Sequence, residues 1–210
     1  PRCVELLPLL ARHWPSAHVV HVIRDPRDVL ASKKKAAWSR HRSSVTHVFV
    51  NRVQLSAGRR AGPLSFGPRY HEVVYEALLA DPQTVLRRLT ERIEVPYEEA
   101  MLHFGDAARS LVSDEELAWK RETLGPLLAT NSGKWRRELT DWEAALAERV
   151  CREGVSIVTR QTQPPPRTVR AVRFTVRFLS AVLRVLEWPY RLYRWGSLVW
   201  LQRDKPAQLN

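Results

Sequence analysis

The sequence predicts an α/β fold, a parallel sheet with flanking helices followed by a C-terminal amphipathic helix. A nearly continuous β-branched run at 18–24 is typical of a parallel strand covered on both faces. A second short strand is expected at 70–75, after a long helical stretch, and this order is that of α/β sheets. We therefore expect a domain over 1–160, a proline-rich linker over 161–168 and a basic helical tail over 169–203.

The first elements are a helix and the strand that it leads into. Apolar residues recur at helical spacing over 3–14, and Pro15 ends that helix and brings the chain into the strand. The β-branched residues of the strand are Val19, Val20, Val22 and Ile23.

Arg24 follows this strand at its carboxyl end, where open α/β sheets bind their ligands. Pro26, with Asp25 and Asp28 beside it, predicts that a helix begins directly afterwards. Ser32 then lies more than a turn into the helix, so that an arginine and a serine can converge on one anion, especially a phosphate. The alternative is an ordinary strand, turn and helix with an Arg–Asp pair on the surface.

The middle of the chain is predicted to alternate helices with loops and one strand. Partly periodic apolar residues indicate a helix over 44–60, and glycines and prolines indicate a loop over 58–70. The glycines of that loop lack the spacing of a phosphate-binding loop. Asp81 and the proline after it predict a helix start, and a capping box indicates a further helix over 113–130.

Two motifs resemble those of bacterial-type sulfotransferases that use 3′-phosphoadenosine 5′-phosphosulfate (PAPS). The run R-D-P-R-D-V-x-x-S at 24–32 is similar to the segment with which the family binds the donor's 3′-phosphate, which implies this role for Arg24 and Ser32. Tyr75 stands where the family's Y-E-D-L motif places a tyrosine beside the adenine; its alternative is to close the core. Ala77 replaces the family's aspartate, so we expect the local geometry here to differ from that of the family.

A third motif, G-x-W at 133–135 followed by a Thr-Asp helix cap, resembles the segment that completes the 3′-phosphate site in the family. The family's Arg-Lys-Gly aligns with Leu, Ala and Thr at 128–130, so those contacts are absent. Lys134 is our candidate replacement, although a plain surface lysine is the alternative. Other residues of the segment that could substitute are Asn131, Ser132 and Arg136.

The resemblance implies a partial P-loop-like fold and transfer of a sulfuryl group from PAPS to a hydroxyl or amine acceptor. We expect the chain to carry the 3′-phosphate and adenine half of the donor site and to be inactive alone. The family's 5′-phosphosulfate loop and general base would precede Pro1, so the catalytic residues are unknown and the chain is expected to be a C-terminal portion. The alternative is a non-catalytic, membrane-peripheral adaptor with a degenerate nucleotide site.

The net charge of +12 is concentrated in the tail, since residues 161–210 hold nine basic and two acidic residues. Arginines recur every seven residues beside a broad apolar helical face, and aromatic residues follow; this pattern is typical of a helix lying in a membrane interface without crossing it. The alternatives are docking on the protein's own core and binding of nucleic acid, which the absence of base-reading polar residues disfavours. The arginines of the heptad are Arg170, Arg177, Arg184 and Arg191.

The cysteines and histidines give no sign of a metal site. Cys3 and Cys151 are far apart and the seven histidines have no metal-ligand spacing, so we expect neither a metal nor a disulfide framework. Two isolated cysteines indicate a reducing compartment. The expected location is the cytoplasm, with peripheral attachment at the inner membrane face.

Overall fold

The computed structural model describes residues 3–103, 131–161 and 173–203. This part of the chain is mostly helical and contains a two-stranded parallel sheet, so the prediction of parallel pairing with flanking helices is confirmed. The helix expected over 113–130 and nearly all of the expected linker lie outside the described residues.

The elements follow one another in an order that alternates helix and strand in the first half of the chain. Short 3₁₀ helices occur at Cys3–Leu6, Gly67–Arg69 and Glu99–Leu102. The helices and strands are α1 (Leu7–His13), β1 (Val19–Ile23), α2 (Pro26–Lys35), α3 (Ser44–Phe66), β2 (Tyr70–Val74), α4 (Tyr75–Ala80), α5 (Pro82–Arg92), α6 (Trp135–Glu138), α7 (Asp141–Val150), α8 (Arg152–Gln161) and α9 (Arg173–Arg203).

The parallel register of the sheet brings the chain segments after both strands to one edge. Ile23 pairs with Val74, so the next residue of each strand leaves the sheet at the same end. The expectation that β1 is covered on both faces is wrong, because Val20 and Val22 are 40% and 54% exposed. In the described part of the chain, α3 packs on the opposite face, beside His21.

Helix α3 continues through most of the segment predicted to be a loop over 58–70. That prediction is wrong because burial outweighs the low helix propensity of glycine and proline. A Cβ atom at Gly62 would overlap the ring of Tyr70, so the glycine allows the helix to lie directly on β2. The helix ends only before Gly67, whose positive φ of 55° favours glycine.

Side chains cap several helices as their sequence signals predicted. Asp25 accepts the backbone N–H of Arg27 at the start of α2, and Asp81 accepts that of Thr84 at the start of α5. Thr140 begins α7 with a complete capping box. These caps fix where the helices begin and therefore which residues face the end of the sheet.

An apolar core lies where α2, α3, α7 and α9 meet. The tail helix contributes to this core, so the alternative in which the tail docks on the protein's own body holds for one of its faces. Pro189 does not interrupt α9. Within the described residues, no helix combines the length and apolar character needed to cross a membrane. The buried residues of this core are Leu30, Val48, Leu146, Ala147, Val150, Cys151, Val176 and Leu183.

Candidate functional site

Three segments that are distant in sequence converge at the carboxyl edge of the sheet. Arg24 follows β1 and Tyr75 follows β2, and the guanidinium carbon lies 4.8 Å from the centre of the tyrosine ring. Arg24 Nη2 donates a hydrogen bond of 2.7 Å to the carbonyl oxygen of Asn131. The Asn131 side-chain amide donates to the Tyr75 hydroxyl at 2.9 Å. The structure therefore brings two of the predicted site residues into contact through a third segment.

Arg24 has no carboxylate partner among the described residues, whereas the neighbouring arginine of the motif does. Arg27 forms an ion pair of 2.7 Å with Asp25 and another of 3.5 Å with Glu148. The Arg–Asp pair considered as an alternative therefore exists, but it is buried and uses Arg27. The Arg24 Nε atom is buried without a hydrogen-bond partner, so this guanidinium retains donor capacity and charge for an anion.

Asp28 fixes the segment after residue 130 to the first turn of α2. Its carboxylate accepts the backbone N–H groups of Gly133 at 2.7 Å and Trp135 at 2.9 Å. Burial raises the pKa of Asp28, and the two backbone hydrogen bonds only partly offset this. Arg27 lies above the Trp135 ring at 4.1 Å, which adds a cation–π contact to the same junction.

Glu76 is a further site residue that the sequence reasoning missed. It is buried, and its Oε1 atom accepts the backbone N–H of Asp25 at 2.8 Å, while Oε2 has no hydrogen-bond partner. Burial raises the pKa of this carboxyl. The sequence signal that could have identified Glu76 is its position directly after Tyr75. In a parallel sheet, the residues that follow neighbouring strands lie at the same edge.

Ser32 and Lys134, the other two predicted site residues, lie on the elements around this edge. Ser32 is exposed in the second turn of α2, and among the described contacts none joins its hydroxyl to Arg24. Lys134 is half-buried and precedes α6, between the two residues that bind Asp28. Asn131, one of the candidate substitutes in this segment, is the residue that contacts both Arg24 and Tyr75.

The polar groups at the sheet edge favour an anion over a cation. Within the described ranges, no group of three or more histidine, cysteine or acidic side chains has the arrangement of a metal site. Arg24, which forms no ion pair in these ranges, an exposed hydroxyl and a lysine-containing loop instead offer hydrogen-bond donors, beside the buried carboxyls of Asp28 and Glu76. Donors of this kind, next to an aromatic ring, suit a phosphate attached to a planar base.

Comparison with known proteins gives a family for the segment that contains most of this edge. A search of the curated proteins found no match. Residues 1–99 match the model of the sulfotransferase family, and this range includes Arg24, Ser32 and Tyr75 but not Lys134. The match covers slightly less than half of the chain, and over this range the chain is similar to the sulfotransferase family.

Proposed function

We propose that this chain holds the 3′-phosphate and adenine end of PAPS in a sulfotransferase that transfers a sulfuryl group to a hydroxyl or amine acceptor. The observation that carries the proposal is the state of Arg24, which has no carboxylate partner in the described part of the chain and a buried, unpartnered Nε atom. The family match over 1–99 supports sulfuryl transfer in general. In this proposal, β1 and β2 are part of a P-loop-like parallel sheet.

The residues at the sheet edge fit the two chemical groups at this end of the donor. Arg24 would donate to the 3′-phosphate in a charge-assisted contact, and Ser32 would donate its hydroxyl from the next helix. Lys134 would add positive charge from the opposite segment. Tyr75 would pack against the adenine, with its hydroxyl held by Asn131. Asp28 and Arg27 would position the segment that carries Asn131, without touching the donor themselves.

The proposal assigns no catalytic residue to this chain. PAPS supplies the sulfuryl group, and the named residues bind and orient the donor. No glycine arrangement in the sequence has the spacing of a phosphate-binding loop. We therefore expect the 210-residue chain to bind the nucleotide product, 3′-phosphoadenosine 5′-phosphate, and not to transfer sulfuryl groups alone. Transfer from labelled PAPS to any of a panel of hydroxyl and amine acceptors would contradict this part of the proposal.

Calorimetric titration with 3′-phosphoadenosine 5′-phosphate tests the binding role. Losing a hydrogen bond to a charged group costs about 1.5–3 kcal/mol, so Arg24→Ala should weaken binding by roughly ten- to a hundredfold. Ser32→Ala, which removes a single hydroxyl, should have a smaller effect. The exposed Arg88 on α5 gives a matched control, and Arg88→Ala should leave the affinity unchanged. Binding that is absent in the wild type, or equal in Arg24→Ala, would refute the proposal.

A second candidate function is that of a non-catalytic, membrane-peripheral adaptor with a degenerate nucleotide site. The observation that favours it is the outer face of α9, where Phe178, Val185 and Trp188 are each more than two-thirds exposed. Under either function we propose a cytoplasmic protein at the inner membrane face. Nucleotide binding that depends on Arg24 favours the enzyme, and its absence together with vesicle binding favours the adaptor.

A further inference from the structure

Helix α9 is anchored to the body of the protein along one face. Val176 and Leu183 enter the core, and Glu187 is buried one turn further on. Glu187 accepts a hydrogen bond of 2.6 Å from Ser56 and forms an ion pair of 2.7 Å with Arg52, both on α3. These contacts fix the rotation of the helix, because successive residues are 100° apart around its axis.

The opposite face of α9 is apolar and exposed. At 100° per residue, the side facing away from Glu187 carries mostly apolar and aromatic side chains, with the exposed Thr175 among them. Monomeric soluble proteins rarely expose a large apolar surface of this kind unless it binds something. The large exposed side chains of α9 are Phe178, Val185, Leu186, Trp188, Leu192 and Tyr193.

An arginine-rich cavity of about 370 Å³ lies beside this apolar face. Two acidic residues lie near the cavity, and both already form ion pairs. Glu153, in the cavity lining, pairs with Arg59, and Glu187 pairs with Arg52. Arg184 lies one turn before Trp188 on α9, so the cavity adjoins the border of the apolar face. Arginines 149, 152 and 184 have no carboxylate partner in the ranges that the structure describes. The lining residues are Arg52, Arg149, Arg152, Glu153, Ser156 and Arg184.

We infer that the outer face of α9 and the arginine cavity together bind the surface of an anionic phospholipid bilayer. The apolar side chains enter the boundary between headgroups and acyl chains, and the cavity arginines bind lipid phosphates. Charge complementarity selects this occupant: the described α9 carries six arginines and one glutamate. A second copy docking through the same face would present the same positively charged surface and therefore no opposite charge. This inference does not depend on the nucleotide site.

Vesicle co-sedimentation of the full chain tests the inference directly. We expect binding to vesicles of phosphatidylcholine mixed with phosphatidylglycerol, and much weaker binding to phosphatidylcholine alone or in high salt. Each arginine near an anionic surface contributes about fivefold in affinity, so Arg149→Gln with Arg152→Gln should lose roughly 25-fold. Phe178→Ala with Trp188→Ala should lose at least tenfold, because two large apolar side chains no longer enter the bilayer.

Matched control variants distinguish binding through the proposed surface from non-specific binding to vesicles. Leu64 is 87% exposed on α3, and Leu64→Ala should bind vesicles like the wild type, as should Arg88→Gln on α5. Unchanged thermal unfolding by circular dichroism would show that each variant is folded. Equal losses in the control and test variants would overturn the inference.

Two other outcomes would replace the membrane with a different occupant. Glycerol 1-phosphate and inorganic phosphate present the headgroup chemistry without a bilayer. If they bind in an Arg149- and Arg152-dependent manner while anionic vesicles do not bind, the cavity is a small-anion site and the inference fails. If the wild type is a dimer by sedimentation velocity, Phe178→Ala with Trp188→Ala is a monomer, and vesicles do not bind, the face joins two copies.

Discussion

Replacing Glu143 by glutamine should remove a large part of the fold's stability, because this carboxylate joins three helices. Lys34 on α2 donates to both of its oxygens at 2.6 and 2.8 Å, and Ser44 on α3 donates at 2.6 Å. The same side chain closes the capping box of α7 with Thr140. Glu143→Gln keeps the shape of the side chain but removes its charge.

The pKa of Glu143 sets the size of this effect. Burial raises the pKa, but the hydrogen bonds from Lys34, Ser44 and Thr140 outweigh it and lower the pKa from 4.5 to about 2. Because each pKa unit corresponds to about 1.4 kcal/mol, the ionised carboxylate contributes roughly 3 kcal/mol to the free energy of unfolding. Since the folded pKa is the lower one, this contribution is present above pH 4.5 and is lost as the pH falls towards 2.

Urea unfolding of the wild type and Glu143→Gln at a series of pH values measures this contribution. The difference should be about 3 kcal/mol at neutral pH and should shrink steadily as the carboxylate of the wild type is protonated. Glu138 provides the control, because its partner Lys35 is 67% exposed and such pairs contribute at most about 1 kcal/mol. Equal losses in Glu138→Gln and Glu143→Gln, or a difference independent of pH, would refute this reasoning.

Three further changes test the packing and the site. Burial raises the pKa of Cys151 to about 12, so a disulfide reagent should modify the exposed Cys3 in the native protein and spare Cys151; two fast-reacting thiols would contradict this. Gly62→Ala should lower the free energy of unfolding by about 1–3 kcal/mol, because the added Cβ would overlap the ring of Tyr70 on β2. As a control, Gly196→Ala should not lower it, because the space around Gly196 is open. Asp28→Asn should cost about 1–3 kcal/mol and weaken nucleotide binding, because an amide NH2 donor replaces one of the two oxygens that accept backbone N–H groups; unchanged urea unfolding would show that Asp28 does not anchor this segment.

The sequence allowed the elements with local signals to be predicted. The proline after Asp81 and the Thr-Asp cap at 140–141 are short-range patterns, and both mark helix starts in the structure. The continuation of α3 through Gly62 was not predictable in this way, because the glycine favours a loop locally and is helical only through its contact with β2. Likewise, the exposed side of β1 depends on which helices cover it, which a β-branched run does not reveal.

In the candidate site too, features set by neighbouring residues could be predicted, whereas contacts between distant segments could not. Arg24 was chosen from its place at the end of a strand, and the distinction between it and Arg27 required the ion pairs of the folded chain. The contact with Asn131 joins residues 107 positions apart, and no local pattern indicates it. In the tail, Glu187 is the only acidic residue of α9, and its contacts with Ser56 and Arg52 determine which face of the helix docks. Only the folded structure shows these partners on α3.

The most direct test of the account is the selectivity of the sheet edge for a 3′-phosphate. Calorimetry would compare the affinity of the wild type for 3′-phosphoadenosine 5′-phosphate with its affinity for adenosine 5′-phosphate, which lacks the 3′-phosphate. We expect the wild type to prefer the 3′-phosphorylated nucleotide by roughly tenfold or more, and Arg24→Ala to abolish most of this preference. Equal affinities in the wild type, or a preference that persists in Arg24→Ala, would contradict it.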